Sequence, residues 1–143
     1  MGLFFLLQYL YTFGDQIRTN MMILSTVLIT LALVFYSTGI WAERIARLLK
    51  PWHVVTFWMG FIFDIAGTLA MHKMAEGRFN ILDQHTLTGQ IALWLMLAHA
   101  IWATVVIRKN LEHMKQRFHR YSLVVWIIWL IPYFGGMYLA MSH

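Results

Sequence analysis

The sequence predicts an all-α membrane protein, a four-transmembrane-helix bundle with a short N-terminal interfacial segment. Two observations predict this fold. The chain of 143 residues is 60% hydrophobic and only 12% charged, whereas about 25% of the residues of an ordinary soluble domain are charged. Its apolar residues also fall into four stretches close to the roughly 20 residues that a helix needs to cross about 30 Å of hydrocarbon. Little chain is left for a separate soluble domain, so we expect one compact bundle.

The first element is an apolar extension, residues 1–20. Residues 3–13 are apolar but too short to span a bilayer, and the polar residues between 14 and 20 interrupt the pattern. We expect this extension to lie at the membrane interface, with tyrosine and phenylalanine rings at the level of the lipid headgroups. The transmembrane domain then occupies residues 21–143.

Four spans make up this domain, at about 21–41, 54–74, 86–107 and 121–141. The first has no ionisable residue before Glu43, which predicts a scaffold helix. The second is interrupted by Asp64 at mid-depth. A carboxylate there costs several kcal/mol unless it is neutral or paired, so Asp64 is a candidate functional residue. His99 lies at similar depth on the next antiparallel helix and is its expected partner.

The charges predict the orientation of the bundle and exclude some functions. Eight of the 11 lysine and arginine residues lie in connections 43–53 and 108–120, which places both connections in the cytoplasm and both termini outside. Because the positive residues flank the spans and form no single free face, we exclude a nucleic-acid partner. Membrane lipids are expected partners; topology alone explains the basic connections, and a role with anionic lipids is the lesser alternative. The absence of cysteine excludes thiolate metal sites and disulfides.

Small residues and histidines share one stripe of the third span, because they recur at steps of three and four. The stripe contains His85, Gly89, Ala92, Met96, His99 and Ala103. The two histidines are fourteen positions and therefore about 21 Å apart. Between them, Gly89 and Ala92 leave room for a flat ligand. The alternative interpretation is that the small residues form a helix-packing seam.

Histidines at two depths fit the chemistry of heme b, which needs one or two axial His or Met ligands from helices on either side of a slot. The spacing resembles that of diheme membrane cytochromes b. At the outer level, His85 has Met71 and His72 as candidate partners across the second connection. We therefore predict heme-iron ligation by His85 and His99.

The inner level offers His99 two candidate partners near the cytoplasmic surface, His53 and His119. Both lie about two helical turns shallower than His99, so this level needs a tilt or a kink. A headgroup contact is the alternative role for either of these two histidines. A zinc or iron site that includes Asp64 is a competing hypothesis, but it needs three or four converging ligands and the sequence has no compact metal motif.

Four segments of the chain resemble the HsmA family of small bacterial heme-sensing membrane proteins. They are FYSTGIWAER, LLKPWHVVTFWMGFIFDIAGTLAM, HTLTGQIALWLMLAHAIWATVV and FHRYSLVVWIIWLIPYFGGM. The resemblance covers residues 22–141 and implies heme binding at the plasma membrane with a role in heme tolerance or handling. The candidate cofactor-binding residues within the matching segments are His53, Asp64, Met71, His85, His99 and His119.

We therefore expect a multi-pass protein of the bacterial inner membrane that binds one or two heme b groups and acts in heme handling, sensing or tolerance. One alternative is a diheme cytochrome b-type oxidoreductase that exchanges electrons with quinone. Another is an ion- or proton-coupled transport component that uses Asp64 and His99 and is expected to be a homo-oligomer. The residues identify no catalytic group, and a function other than catalysis is favoured.

Overall fold

The structure is a computed structural model and describes residues 1–74 and 84–142, apart from the side chains of Gln84, His85 and Ala140. The described residues form no strand and four α-helices: α1 (Gly2–Ala46), α2 (Pro51–Met74), α3 (Gln84–Lys109) and α4 (Glu112–Met141). All four helices are long and apolar enough to cross a membrane. The predicted all-α four-helix membrane bundle is therefore confirmed.

The helices form a ring in chain order. Each helix packs against the next, α1 most extensively against α2, and α4 closes the ring against α1. The connections at 47–50 and 110–111 are short, so neighbouring helices are antiparallel. These connections and the adjoining helix ends carry most of the positive charge. We call the end of the bundle formed by residues 43–53 and 108–120 the basic end.

The helices at the basic end are longer than the sequence analysis predicted. Most of the predicted connection 108–120 is the first part of α4, which begins at Glu112, because glutamate, lysine and glutamine are good helix formers. Likewise, α2 begins at Pro51, since proline is favoured at the first helical position. Arg47 and Asn110 have φ of 51° and 49°, and this left-handed conformation ends α1 and α3.

The N-terminal extension is continuous with the first span in one helix, α1, which the polar residues between 14 and 20 do not end. Helix α1 has 45 residues, about 68 Å at 1.5 Å per residue. Three of the polar side chains in this segment form hydrogen bonds within the helix. Thr19 Oγ1 donates to the Asp15 carbonyl at 3.0 Å, and Gln16 Nε2 donates to Asn20 Oδ1 at 3.2 Å. Residues 1–20 are exposed on every side.

Glycines allow α1 and α2 to approach closely. A Cβ added at Gly60 would lie 2.6 Å from two ring carbons of Tyr36, and one at Gly67 would lie 2.6 Å from the Ile29 side chain. At Gly39 an added Cβ would overlap Thr56 and Phe57. Membrane helices usually pack closely over small residues, because the hydrophobic effect does not drive helix association within lipid. The α1–α2 contact is therefore a glycine seam.

Two clusters of buried residues fill the bundle. The cluster nearer the basic end contains Ile40, Leu49, Val54, Phe57, Ala100, Ala103, Val106 and Phe118. The second, nearer mid-depth, contains Ala32, Tyr36, Phe61, Ala92, Met96 and Trp129. Large apolar side chains such as Ile62, Trp94 and Ile131 are exposed on the outside of the bundle, as expected for a surface in contact with lipid.

Candidate functional site

A cavity of about 360 Å³ lies in the half of the bundle opposite the basic end, and all four helices line it. Its volume is within the range of about 300–1,000 Å³ that is usual for small-molecule sites. The wall is formed mainly by apolar side chains, glycine and threonine. It contains Thr26, Ile29, Thr30, Asp64, Thr68, Met71, Gly89, Ala92, Trp129, Pro132, Tyr133, Gly136, Met137 and Met141. Asp64 is the one carboxylate among these residues.

Asp64 is fixed in the wall of the cavity by two aromatic residues from other helices. It is 6% exposed. Trp129 Nε1–H donates to Asp64 Oδ2 at 2.9 Å, and the Tyr36 hydroxyl donates to the same oxygen in a longer contact of 3.3 Å. The Tyr36 and Trp129 rings meet edge to face, with centroids 5.1 Å apart. No described residue donates a hydrogen bond to Oδ1, which therefore stays available to a ligand or a proton.

The partners of Asp64 and His99 differ from the sequence prediction. The predicted Asp64–His99 pair does not form, because Asp64 bonds to Tyr36 and Trp129 while His99 Nε2 lies 3.5 Å from Ser122 Oγ. Tyr36 reaches the carboxylate because Gly60, one turn before Asp64, leaves space for its ring. The pairing was missed because α1 was interpreted as a scaffold.

Gly89 faces open space within the ring of helices. A Cβ added there would meet no atom within 4 Å, and Gly89 and Ala92 both line the cavity. Gly89 is therefore not part of a packing seam, and the space predicted for a flat ligand beside this stripe is present. The glycine seam lies between α1 and α2, at Gly39, Gly60 and Gly67.

Two candidate ligands of the outer level, Met71 and His85, relate differently to the cavity. Met71 lines it and is 40% exposed. The His85 backbone belongs to α3, four residues before Gly89 and hence about one turn away, but its side chain lies outside the described residues. Asp64 and Met71 are thus the two predicted site residues that the described part of the structure brings to the cavity.

His99 is buried in a closely packed aromatic environment. Its ring stacks on Phe118, with centroids 4.8 Å apart, and Phe57 packs edge-on at 4.9 Å. Its Nδ1 is buried without a hydrogen-bond partner among the described residues. Met96, fully buried one turn before His99, lies along α3 between this position and the cavity wall at Ala92. A planar macrocycle at His99 would require Phe57 or Phe118 to move.

His53 is oriented by the backbone of the first connection. The Lys50 backbone N–H donates to His53 Nδ1 at 3.1 Å. A backbone amide is always a donor, so Nδ1 is the acceptor and the ring proton of neutral His53 is on Nε2. Metal ligation through Nε2 would therefore require the other tautomer and loss of the Lys50 bond. His53 Nε2 is buried and has no partner among the described residues.

His119 pairs with a buried carboxylate. His119 Nδ1 and Glu43 Oε1 lie 2.9 Å apart, and the Glu43 side chain is 1% exposed whereas that of His119 is 33% exposed. The sequence pattern places Glu43 as the first ionisable residue at the end of the first span and predicts no partner for it. Tyr36 and Glu43 are seven residues apart and therefore lie on one face of α1. This spacing is the pattern from which the Tyr36–Asp64 and Glu43–His119 contacts could be predicted.

The described histidines and acids do not assemble a compact metal site. No group of three or more His, Cys, Asp or Glu side chains in residues 1–74 and 84–142 is arranged to hold a metal ion. His53, His99 and His119 each have separate surroundings near the basic end. The competing hypothesis of a zinc or iron site that includes Asp64 therefore gains no support from these residues.

Comparison of the chain with protein-family models, curated proteins and solved structures gave no match.

The cavity and the surroundings of His99 differ in the space that they leave for a ligand. The apolar wall of the cavity, the open space beside Gly89 and a carboxylate suit a flat apolar group with polar edges. Met71 supplies a thioether, and His85 is one turn from Gly89 on the same helix. The space around His99 is instead filled by aromatic rings. The described part of the cavity therefore offers open space and one thioether sulfur, whereas the surroundings of His99 offer no comparable space.

Replacing Trp129 with phenylalanine tests the anchoring of Asp64. We expect Trp129→Phe to lower the free energy of unfolding in detergent by about 2 kcal/mol, because a buried carboxylate loses an indole donor. Trp94→Phe is the matched control, since Trp94 is 67% exposed on the outside of the bundle, and it should change stability by less than about 0.5 kcal/mol. Equal effects of the two substitutions would contradict the anchoring role.

Substituting one or the other partner of the Glu43–His119 pair is expected to lower the free energy of unfolding by different amounts. His119→Ala leaves a buried carboxylate without its partner and should destabilise the protein by about 2–3 kcal/mol. Glu43→Gln leaves a partly exposed histidine that water can solvate, and it should cost less than about 1 kcal/mol. Chemical denaturation of the two variants in one detergent checks the order. The reverse order would show that the carboxylate is not the buried partner.

Proposed function

We propose that this chain is a multi-pass protein of the bacterial inner membrane that binds one heme b in the interhelical cavity and acts in heme handling, sensing or tolerance. The observation that carries the proposal is the open space beside Gly89 in a cavity lined by all four helices. The resemblance to the HsmA family, which implies heme binding, supports the choice of ligand. The basic end is assigned to the cytoplasm by the positive-inside rule.

Residues in and beside the cavity have separate roles in this proposal. His85 would hold the iron, and Met71 or His72 would supply a second side-chain ligand. Asp64 would accept a hydrogen bond from a protonated propionate or hold a proton through Oδ1, while Trp129 and Tyr36 fix its other oxygen. Bound heme supplies an iron centre that takes axial nitrogen or sulfur ligands and can change redox state. The mainly apolar wall would suit the apolar part of such a ligand.

Histidine variants test the proposed ligand. We expect His85→Ala to weaken heme binding at least tenfold and to shift or remove the Soret band of the protein reconstituted in detergent. His113→Ala is the matched control, because His113 is exposed at the basic end, and it should bind as the wild type does. A His85→Ala variant with unchanged affinity and spectrum would overturn the assignment of the ligand.

The heme content of the His99→Ala variant distinguishes a protein that binds one heme from a protein that binds two. The proposal predicts that this variant keeps the heme content of the wild type, because His99 lies among aromatic rings. A diheme cytochrome that exchanges electrons with quinone predicts instead that half of the heme is lost. Loss of about half of the bound heme would therefore favour the oxidoreductase.

A proton- or ion-coupled transport component is the second candidate function. It is favoured by the position of Asp64, which is buried, lines the cavity and keeps Oδ1 without a described donor. This candidate predicts transport by protein reconstituted in liposomes without heme, and loss of that transport in Asp64→Asn. Heme-free liposomes in which wild type and Asp64→Asn behave alike would exclude it.

A further inference from the structure

A second cleft, of about 520 Å³, lies at the basic end between the end of α1 and the first turns of α4. Arg44 and Arg47 line it from the α1 side, and Lys115 and Arg120 line it from α4. Glu112 is the one carboxylate in its wall. The wall therefore carries four cations and one anion before any contribution from His119.

Most of the positive charge in this cleft is not neutralised by the protein. Lys115 Nζ bonds to Asn110 Oδ1 at 2.7 Å and to Glu112 Oε1 at 3.1 Å, so those two charges offset each other. Within residues 1–74 and 84–142, the three arginines Arg44, Arg47 and Arg120 form no ion pair. Three like charges held at one cleft repel each other, and an anion between them would relieve that repulsion.

The orientation of the protein in the membrane explains why these residues are basic, but it does not explain why they line one cleft. The positive-inside rule requires lysine and arginine near the basic end, and Arg108 and Lys109 at the end of α3 meet it without lining the cleft. Arg47 also occupies a left-handed cap, where glycine is usual and a side chain costs about 1–2 kcal/mol. Guanidinium groups from two helices suit the oxygens of a phosphate.

We propose that the cleft lined by Arg44, Arg47 and Arg120 is a phosphate-binding site at the membrane surface, and that the headgroup of an anionic phospholipid is its ligand. Basic pockets between membrane helices at this depth are the usual place for such headgroups. The site is separate from the interhelical cavity, which lies at the other end of the bundle. An experiment that disproves the phosphate site would therefore leave the heme proposal unaffected.

The test measures retention of phosphatidylglycerol and phosphatidylcholine by the detergent-solubilised full chain, using native mass spectrometry. Wild type should prefer phosphatidylglycerol. In Arg44→Gln/Arg120→Gln the preference should fall about 30-fold, which is about 2 kcal/mol at 1.4 kcal/mol per factor of ten. Arg108→Gln/Lys109→Gln removes the same charge from the same end without touching the cleft, so its preference should stay within about twofold of wild type.

Two further measurements keep the proposal falsifiable. Arg47→Gly removes one cleft charge at a position whose backbone suits glycine, so it should fold normally and lose about fivefold in preference. Inorganic phosphate should compete with phosphatidylglycerol for wild type. Binding of phosphate without any lipid preference would overturn the lipid source in favour of a soluble phosphate compound. Equal losses in both double variants, or a wild type that shows neither lipid preference nor phosphate binding, would overturn the site itself.

Discussion

Gly89→Leu is expected to weaken heme binding about a hundredfold while leaving the bundle folded. The leucine side chain would enter space that is open in the structure, since a Cβ at Gly89 meets no atom within 4 Å. A rigid macrocycle cannot share that space, and overpacking of this kind costs about 1–3 kcal/mol, of which 2.7 kcal/mol corresponds to a hundredfold. Titration of the purified variant with heme, followed at the Soret band, measures the loss.

Gly135→Leu is the matched control for this experiment. Gly135 is also a helical glycine with no atom within 4 Å of an added Cβ, but it is exposed and does not line the cavity. Both substitutions replace glycine with a better helix former, so any difference between them reports on the cavity. Heme affinity that falls equally in both variants, or in neither, would contradict binding beside Gly89.

Gly60→Ala is expected to destabilise the protein by about 2 kcal/mol. The added methyl would lie 2.6 Å from Tyr36 Cδ1 and Cε1, so the ring must move and its hydroxyl leaves Asp64. Overpacking of about 1–3 kcal/mol and the weakened hydrogen bond to a carboxylate together exceed the gain of about 1 kcal/mol in helix propensity. Thermal unfolding in detergent, followed by helical circular dichroism, measures the change.

The control for Gly60→Ala is predicted to change stability in the opposite direction. Gly135→Ala adds the same methyl to open space and should stabilise the protein by up to about 1 kcal/mol. In a Tyr36→Leu background, Gly60→Ala should lose most of its effect, because the ring that it displaces is absent. Equal effects of Gly60→Ala with and without Tyr36 would show that the glycine seam does not position this residue.

The four spans were predictable because each needs only length and continuous apolar character, and every predicted span lies within one of the helices α1 to α4. The helix ends at the basic end were not. Polar residues from Glu112 to Arg120 mark the edge of the apolar stretch, but they favour helix as strongly as apolar residues do. In the same way, the polar residues between 14 and 20 bond within α1 and do not end it.

Several residues of the site were predictable from the sequence, but the contacts between them were not. Asp64 stood out because a mid-span carboxylate needs a partner, and the small residues Gly89 and Ala92 indicated open space. Depth along a helix does not give the angle around it, so His99 was paired with the wrong neighbour. Tyr36 was missed for a different reason: its reach to Asp64 depends on the absence of a side chain at Gly60.

The heme-to-protein ratio of the wild-type chain tests the central claim most directly. The protein would be purified from heme-replete cells, and its oxidised and reduced spectra would be recorded with heme and protein quantified separately. The account predicts a Soret band, b-type reduced spectra and one heme per chain. A protein that shows no Soret band even after reconstitution with heme would contradict it.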